Sequence, residues 1–436
     1  MKVLIIGSGG REHAIAWRLA QSPSVTALYA TPGNPGIARV ARCVPAAASP
    51  QGWLEAAESV EADLTVVGPE APLVAGVVDV FRAAGKAIVG PSSKAARLEG
   101  SKIFSKEFMT RARIPTAEFV RAETEEEALK ALARFGCPVV LKADGLAAGK
   151  GVIIANTRTE AEAAIRALLS GELVGKAGAR LVVEEYLAGE EVSYIVLSDG
   201  RSVVPLEPTQ DHKAVYDGDT GPNTGGMGAY CDPRILTAAQ RAEILDRIIA
   251  PTVARMSAEG SPFTGFLYAG LMMTEGGPKV LEYNVRLGDP ETQALMHGLD
   301  SDFAEALWAA AHGDLAGAGL RWRADPSVCV VLASAGYPGT PRTGDAIAGI
   351  EAAEALGATV FQAGTRARSG GVETCGGRVL GVTASGAGLA EAIGNAYRAV
   401  DQIHFDGMHF RRDIGQKGLK RWAAAQQVTI GNVAGT

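Results

Sequence analysis

Lys142 and the glycines that follow it are the first chemistry this chain offers. The run Val139-Val140-Leu141-Lys142-Ala143-Asp144-Gly145-Leu146-Ala147-Ala148-Gly149-Lys150-Gly151-Val152-Ile153-Ile154 reads as two apolar strands joined by a turn with three glycines and a lysine. Bare backbone N–H groups and an ammonium in such a turn close over a polyphosphate. Far along the chain, Val280-Leu281-Glu282-Tyr283-Asn284-Val285-Arg286 alternates with period two, which points Glu282, Asn284 and Arg286 off one strand face. Hard oxygen ligands beside a cation are what magnesium-assisted phosphoryl chemistry requires. Together the two stretches read as an ATP site. They are not a Walker A loop, because Lys150 is followed by Gly151 instead of Ser or Thr.

Three further strings add to this reading. Val182-Val183-Glu184-Glu185-Tyr186-Leu187 ends an apolar strand in a form that suits a flat purine, and Glu190-Glu191 a few residues on suit ribose hydroxyls. Asp219-Thr220-Gly221-Pro222-Asn223-Thr224-Gly225-Gly226-Met227-Gly228 is too glycine-rich for a core and implies close backbone approach to a small ligand. Leu287-Gly288-Asp289-Pro290-Glu291 places two more carboxylates just past the acid–amide strand. At the N-terminus, Gly7-Ser8-Gly9-Gly10-Arg11-Glu12 sets glycines and a guanidinium at a helix start, where backbone donors and the helix dipole favour a phosphate monoester. Glu12 occupies the third small position of a dinucleotide fingerprint, and Tyr29-Ala30-Thr31 lacks the ribose-binding acid, so a nicotinamide cofactor is disfavoured. The six histidines show no ligand spacing, and no G-x-S-x-G elbow is present, so covalent catalysis by a side chain is not indicated.

These residues need elements to hold them. Residues 1 to about 100 alternate strand and helix signals, with strands at Val3 to Ile6, near Leu28, at Leu64 to Val67 and at Ala87 to Val89. Alternation of this kind makes a parallel, doubly wound sheet whose ligands sit beyond the C-terminal strand ends. The glycine loops at Gly7, Gly33 and Gly68 all fall at such ends. From Pro115 an acidic helical stretch leads into the lysine hairpin, forming a compact block able to move as a lid. With 436 residues the prior is about two to four domains. A net charge of −6 and no long basic run give no electrostatic footprint for nucleic acid or membrane. Five widely spaced cysteines support neither a disulfide framework nor a zinc site, and a reducing cytoplasm is expected. The first apolar run is too short for a signal peptide, and no stretch is long enough for a membrane span.

The set of strings resembles the ATP-grasp superfamily, and within it the ligases that join glycine to 5-phosphoribosylamine in purine synthesis. The likeness covers essentially the whole chain, from Gly7-to-Ala14 through Leu98-to-Ser105, Gln210-to-Lys213 and Gly265-to-Leu271 to Gly376-to-Leu380 and Asp413-to-Gly415. It implies an α/β protein: an ATP-grasp core with a mobile lid, a Rossmann-like N-terminal domain with a doubly wound parallel sheet, and a small αβ C-terminal domain. The boundaries expected are 1–102, 103–325 with the lid at about 122–192, 326–424, and a loose tail at 425–436. It further implies that Lys102 and Lys142 hold ATP phosphates under the Gly145, Gly149, Lys150 and Gly151 loop, with Arg286 beside the transferring phosphoryl group. Glu184, Glu185 and Leu187 would meet adenine and Glu191 the ribose, while Glu282 and Asn284 would hold Mg²⁺ or Mn²⁺. Phosphoribosylamine and glycine would be met by Gly9, Gly10, Arg11, Glu12, Asn34, Pro69, Glu70, Asp211, Lys213, Asn223, Gly225, Gly226, Gly288, Asp289 and Pro290. Many ATP-grasp enzymes carry another carboxylate on the strand before the metal pair, where this chain has Ala269-Gly270-Leu271. The partners expected are these small molecules, with no nucleic acid and no membrane, on a monomer or weak homodimer. The alternatives are another ATP-grasp ligase of purine synthesis, or a nucleotide-dependent binding protein lacking catalysis.

Overall fold

The computed structural model describes residues 1–146, 151–171, 173, 175 and 179–422. Gly149, Lys150 and the expected tail at 425–436 lie outside the described residues.

The N-terminal unit is a five-stranded sheet in the order Arg42–Cys43, Ala27–Pro32, Lys2–Gly7, Leu64–Val67, Ile88–Val89, with parallel pairing throughout. Its central strand is apolar because helices cover both faces: Val3, Leu4, Ile5 and Ile6 are all buried. The expected strands are present, and the glycine loops follow their C-terminal ends as anticipated. Arg42–Cys43 is an additional two-residue edge strand.

Residues 119–185 build a four-stranded antiparallel sheet, ordered Phe119–Ala122, Leu181–Glu185, Val139–Ala143, Val152–Ala155. The helices Glu125–Phe135 and Arg158–Leu169 pack on it, started by Thr124 and Thr157, whose hydroxyls accept the N–H of Glu127 and Glu160. The unit has a core of its own, rich in alanine, in which Leu132, Ile165 and Leu168 are the large helix side chains. Burying each contributes ~1.5–3 kcal/mol.

The largest layer is a nine-stranded sheet running Gly277–Asn284, Thr264–Thr274, Glu190–Asp199, Thr209–Asp211, Gly228–Cys231, Ser327–Ala333, Arg378–Ser385, Thr359–Gln362, with Val203–Pro205 attached to Glu190–Asp199. Gly228–Cys231 pairs antiparallel with Ser327–Val330, so the segment after Pro326 continues the central sheet and carries its own residues toward the cleft. Among the described residues no helix is long and apolar enough to cross a membrane.

Candidate active site

Between the small antiparallel sheet and the edge of the large one lies a cleft of about 510 Å³. Its floor is the strand Gly277–Asn284. Glu282 and Asn284 stand two residues apart on one face, and both line the cleft. Arg286 also lines it, but lies two residues past the strand's end and not on the strand as expected. The chain departs there because the Val285 N–H donates to Glu99 Oε2 at 2.8 Å.

Glu282 is gripped by the Lys102 ammonium, which opens the helix Lys102–Ala112. Ser101 caps that helix and donates to Asp144 Oδ1 at 2.7 Å, tying the helix start to the end of the lysine-bearing strand. Burial would raise the Glu282 carboxyl, but the ammoniums of Lys102, Lys213 and Lys142 outweigh it and hold the group well below the usual carboxylate range. Gly270 lies directly opposite Glu282, so no second carboxylate stands there. Lys142 is 4% exposed, donates to the Leu281 carbonyl at 2.8 Å and pairs with Glu184 at 2.9 Å. The lysine-bearing strand is thereby stitched onto the acid–amide strand across the cleft.

One end of the cleft is an apolar slot. Ala117, Leu187, Met272 and Leu281 form a small cluster, with Val140 and Ile154 opposite and Glu184 at 1% exposure beside them. Glu191 also lines the cleft and pairs with Lys213 at 2.8 Å. Burial would lower the Lys213 ammonium, but Glu191, Glu282 and Asp211 push it well above its ordinary value.

The other end is dense with charge. Arg286 donates to Glu99 at 2.9 Å and to Asn284 Oδ1 at 3.1 Å, and lies 3.4 Å from Glu70. These carboxylates overcome burial and raise its guanidinium further. Burial and the neighbouring Glu291 push the Asp211 carboxyl well above its usual range. Glu291 accepts from Ser193 at 3.0 Å and Tyr268 at 2.5 Å. Asp289 is held low, against burial, by Arg378 and Arg11.

At the first glycine loop, Glu12 is the organising side chain. Its Oε2 accepts the Gly9 N–H at 2.5 Å and its Oε1 pairs with Arg11 at 2.6 Å. A Cβ at Gly7, Gly9 or Gly68 would come within 2.4, 2.8 and 2.0 Å of that side chain, so the glycines there make room for a glutamate.

Of the residues expected in the site, Arg11, Pro69, Glu70, Lys102, Lys142, Gly145, Gly151, Glu184, Glu185, Leu187, Glu191, Asp211, Lys213, Asn223, Gly225, Glu282, Asn284, Arg286 and Asp289 line the cleft. Gly9, Gly10, Glu12, Asn34, Gly226, Gly288 and Pro290 are not part of the lining. Asn34 has turned its amide to the carbonyls of Ser8 and Gln362, both at 2.8 Å. The lining residues to which the sequence assigned no site role include Glu99, Tyr268, Tyr337 and Arg378. Arg378 donates to the carbonyls of Gly225 at 2.6 Å and Asp289 at 2.5 Å, and Tyr337 Oη accepts the Gly225 N–H at 3.0 Å. Each sits far in sequence from the motif it serves.

A small antiparallel sheet facing the edge of a large one, with lysines set against an acid–amide strand across the cleft between them, defines an ATP-grasp enzyme. Three family descriptions match in order: "Phosphoribosylglycinamide synthetase, N domain" over 1–99, "ATP-grasp (A) domain" over 100–292 and "C domain" over 327–417. A phosphoribosylamine–glycine ligase of Vibrio cholerae is 51% identical over 425 residues, 97% of this chain and 99% of that one. One from Escherichia coli K12 is 51% identical over 426 residues, with the same coverage. Among solved structures, the phosphoribosylamine–glycine ligase of Thermotoga maritima superposes with a TM-score of 0.84 at 35% identity, covering 95% of this chain and all of that one. Biotin carboxylase of Campylobacter jejuni shares the fold alone, with a TM-score of 0.70 at 16% identity. The chain belongs to the phosphoribosylglycinamide synthetase family.

Proposed function

We propose that the cleft joins glycine to 5-phosphoribosylamine at the expense of ATP, giving glycinamide ribonucleotide, ADP and phosphate in purine biosynthesis. The observation that carries this reading is the stitching of the lysine strand to the acid–amide strand, through Lys142 to the Leu281 carbonyl, with Lys102 at the start of its helix gripping Glu282. A carboxylate resists attack by an amine, so glycine must first become an acyl phosphate. Its carboxylate displaces ADP at the γ-phosphorus, forming glycyl phosphate, while Lys102, Lys142 and Arg286 offset charge on the phosphate oxygens. The amine of phosphoribosylamine then attacks the glycyl carbonyl, and phosphate leaves.

Glu282 and Asn284 fit a divalent cation, Mg²⁺ or Mn²⁺. They offer two hard oxygens, and no cluster of three or more His, Cys, Asp or Glu able to hold a metal occurs among the described residues, so such a cation would complete its shell with phosphate oxygens and water. Bound there it supplies Lewis-acid stabilisation of the phosphate charge.

The apolar slot takes the purine, with Glu184, Glu185 and Leu187 around it and Glu191 at the ribose. Arg11, Pro69 and Glu70 face phosphoribosylamine at the charged end, backed by Gly9, Gly10, Glu12 and Asn34. Glycine's ammonium is met by the carboxylates of Asp211 and Glu291, enclosed by the loops at Asn223 to Gly226 and Gly288 to Pro290. Residues 122–192 act as the lid, excluding water from glycyl phosphate. ADP release measured with each small amino acid, with and without phosphoribosylamine, tests the reading. Release is expected only with glycine and at full rate only with both substrates; release indifferent to the amino acid would overturn it.

A further inference from the structure

Glu184 is held by two ammoniums with different surroundings. Its Oε2 lies 2.9 Å from Lys142 Nζ and 3.1 Å from Lys106 Nζ. Lys142 lines the cleft. Lys106 is not among the lining residues; it is 2% exposed and anchored by the Thr116 hydroxyl at 2.7 Å, which itself donates to the Val280 carbonyl at 2.6 Å. Burial lowers the Lys106 ammonium to about 8, against the supporting charge of Glu184. A buried cation of this kind is costly unless its partner needs it, and Lys106 does not line the cleft. Its charge must therefore act through Glu184. On that carboxylate Oε1 is buried and has no hydrogen-bond partner among the described residues, and Glu184 lines the same cleft as Leu187, Met272 and Leu281. A carboxylate oxygen accepts an N–H and repels a carbonyl oxygen. Adenine carries an amino group at position 6, whereas guanine and hypoxanthine carry an oxo group.

We propose that Lys106 is the positioning residue that sets purine selectivity: it holds the Glu184 carboxylate by Oε2 and leaves Oε1 to accept the 6-amino group of adenine. This rests on the nucleotide site described above. The test is initial rates with ATP or GTP varied at saturating glycine and phosphoribosylamine, for the parent enzyme, Lys106→Met and Thr116→Val. Lys106→Met is expected to raise the KM for ATP about tenfold and shrink the ATP-over-GTP ratio of kcat/KM about tenfold, with kcat and the KM for glycine within about twofold. Thr116→Val, which removes only the hydroxyl that locates the ammonium, moves the same ratio about two- to threefold and decides the matter if Lys106→Met does not fold. A parent enzyme that releases no ADP would overturn the nucleotide site itself. A working parent with the ATP-over-GTP ratio unchanged in the variants, even if kcat falls, would overturn only the role of Lys106.

Discussion

The cleft and the seam between the N-terminal sheet and the C-terminal segment both bury polar side chains, and they treat charge oppositely. In the cleft, Glu282, Lys142, Glu184 and Arg286 are ionic and meet opposite charges within about hydrogen-bonding distance. At the seam the buried groups are neutral. His13 Nδ1 accepts the Gln362 N–H at 2.8 Å with Phe361 edge-on to its ring, and His297 stacks on Trp17 while bonding Ser385 at 2.7 Å. Burial pushes the His13 imidazole down to about 3, helped by Arg39, and His297 down to about 4, helped by Arg323. Both regions face the same desolvation penalty. The cleft offsets it with paired charge because phosphoryl chemistry needs charge in place; the seam avoids it because docking needs only shape and neutral hydrogen bonds. Substitutions in the cleft should therefore change rate with little loss of stability, and perturbing the seam should do the reverse.

Glu282→Gln puts the greatest strain on that contrast. It is expected to lower turnover about 10²–10³-fold, equivalent to ~3–4 kcal/mol of transition-state stabilisation, with a melting temperature within a few degrees of the parent. Near-normal turnover at saturating magnesium would break the assignment of the acid–amide strand. Arg11→Ala comes next. One charged hydrogen bond lost to a phosphate is ~1.5–3 kcal/mol, so the KM for phosphoribosylamine should rise about 10- to 100-fold while that for ATP barely moves. Equal effects on both would show that the first loop serves the whole cleft and not one substrate. Arg378→Ala should raise the KM for glycine about tenfold, because it frees the Gly225 and Asp289 carbonyls that the guanidinium now holds together. An unchanged KM for glycine, with only the melting temperature lowered, would move Arg378 from the cleft to the seam.

What the sequence made legible was local. The period-two strand ending at Asn284, the apolar strands on either side of the glycine turn after Lys142 and the parallel alternation before residue 100 are all patterns of near neighbours along the chain, and each is present. Local pattern also explains the overreach at Arg286: alternation continues through Val285, yet the strand ends because Glu99, far back in the chain, captures the Val285 N–H. Glu99, Tyr337 and Arg378 were given no place in the site for the same reason. They reach the cleft only through tertiary closure, Arg378 because Ser327–Ala333 joins the central sheet and brings Arg378–Ser385 beside it. The first loop shows a subtler limit. Its glycines look like a bare phosphate cradle, but three of them, counting Gly68, clear space for the Glu12 side chain, and no spacing rule announces that.

Mild acid separates the two regions with the smallest perturbation, because it needs no substitution. The folded pKa values of His13 and His297 lie below the ordinary 6.5, so between about 6.5 and 3–4 the unfolded chain binds protons that the folded chain refuses. The stability these imidazoles contribute is fully present above pH 6.5 and is lost as pH falls through that window, at up to ~1.4 kcal/mol per pH unit for each histidine. His13 is the reporter of choice, since its ring bonds the Gln362 N–H and packs edge-on to Phe361 across the seam itself. His13→Gln should lower the melting temperature at pH 7.5 yet flatten its decline between pH 6.5 and 4, while the KM for ATP at pH 7.5 stays at the parent value. Parallel melting curves for parent and variant would mean that the imidazole is not held neutral by burial, and the contrast between a charged cleft and a neutral seam would fail at its seam side.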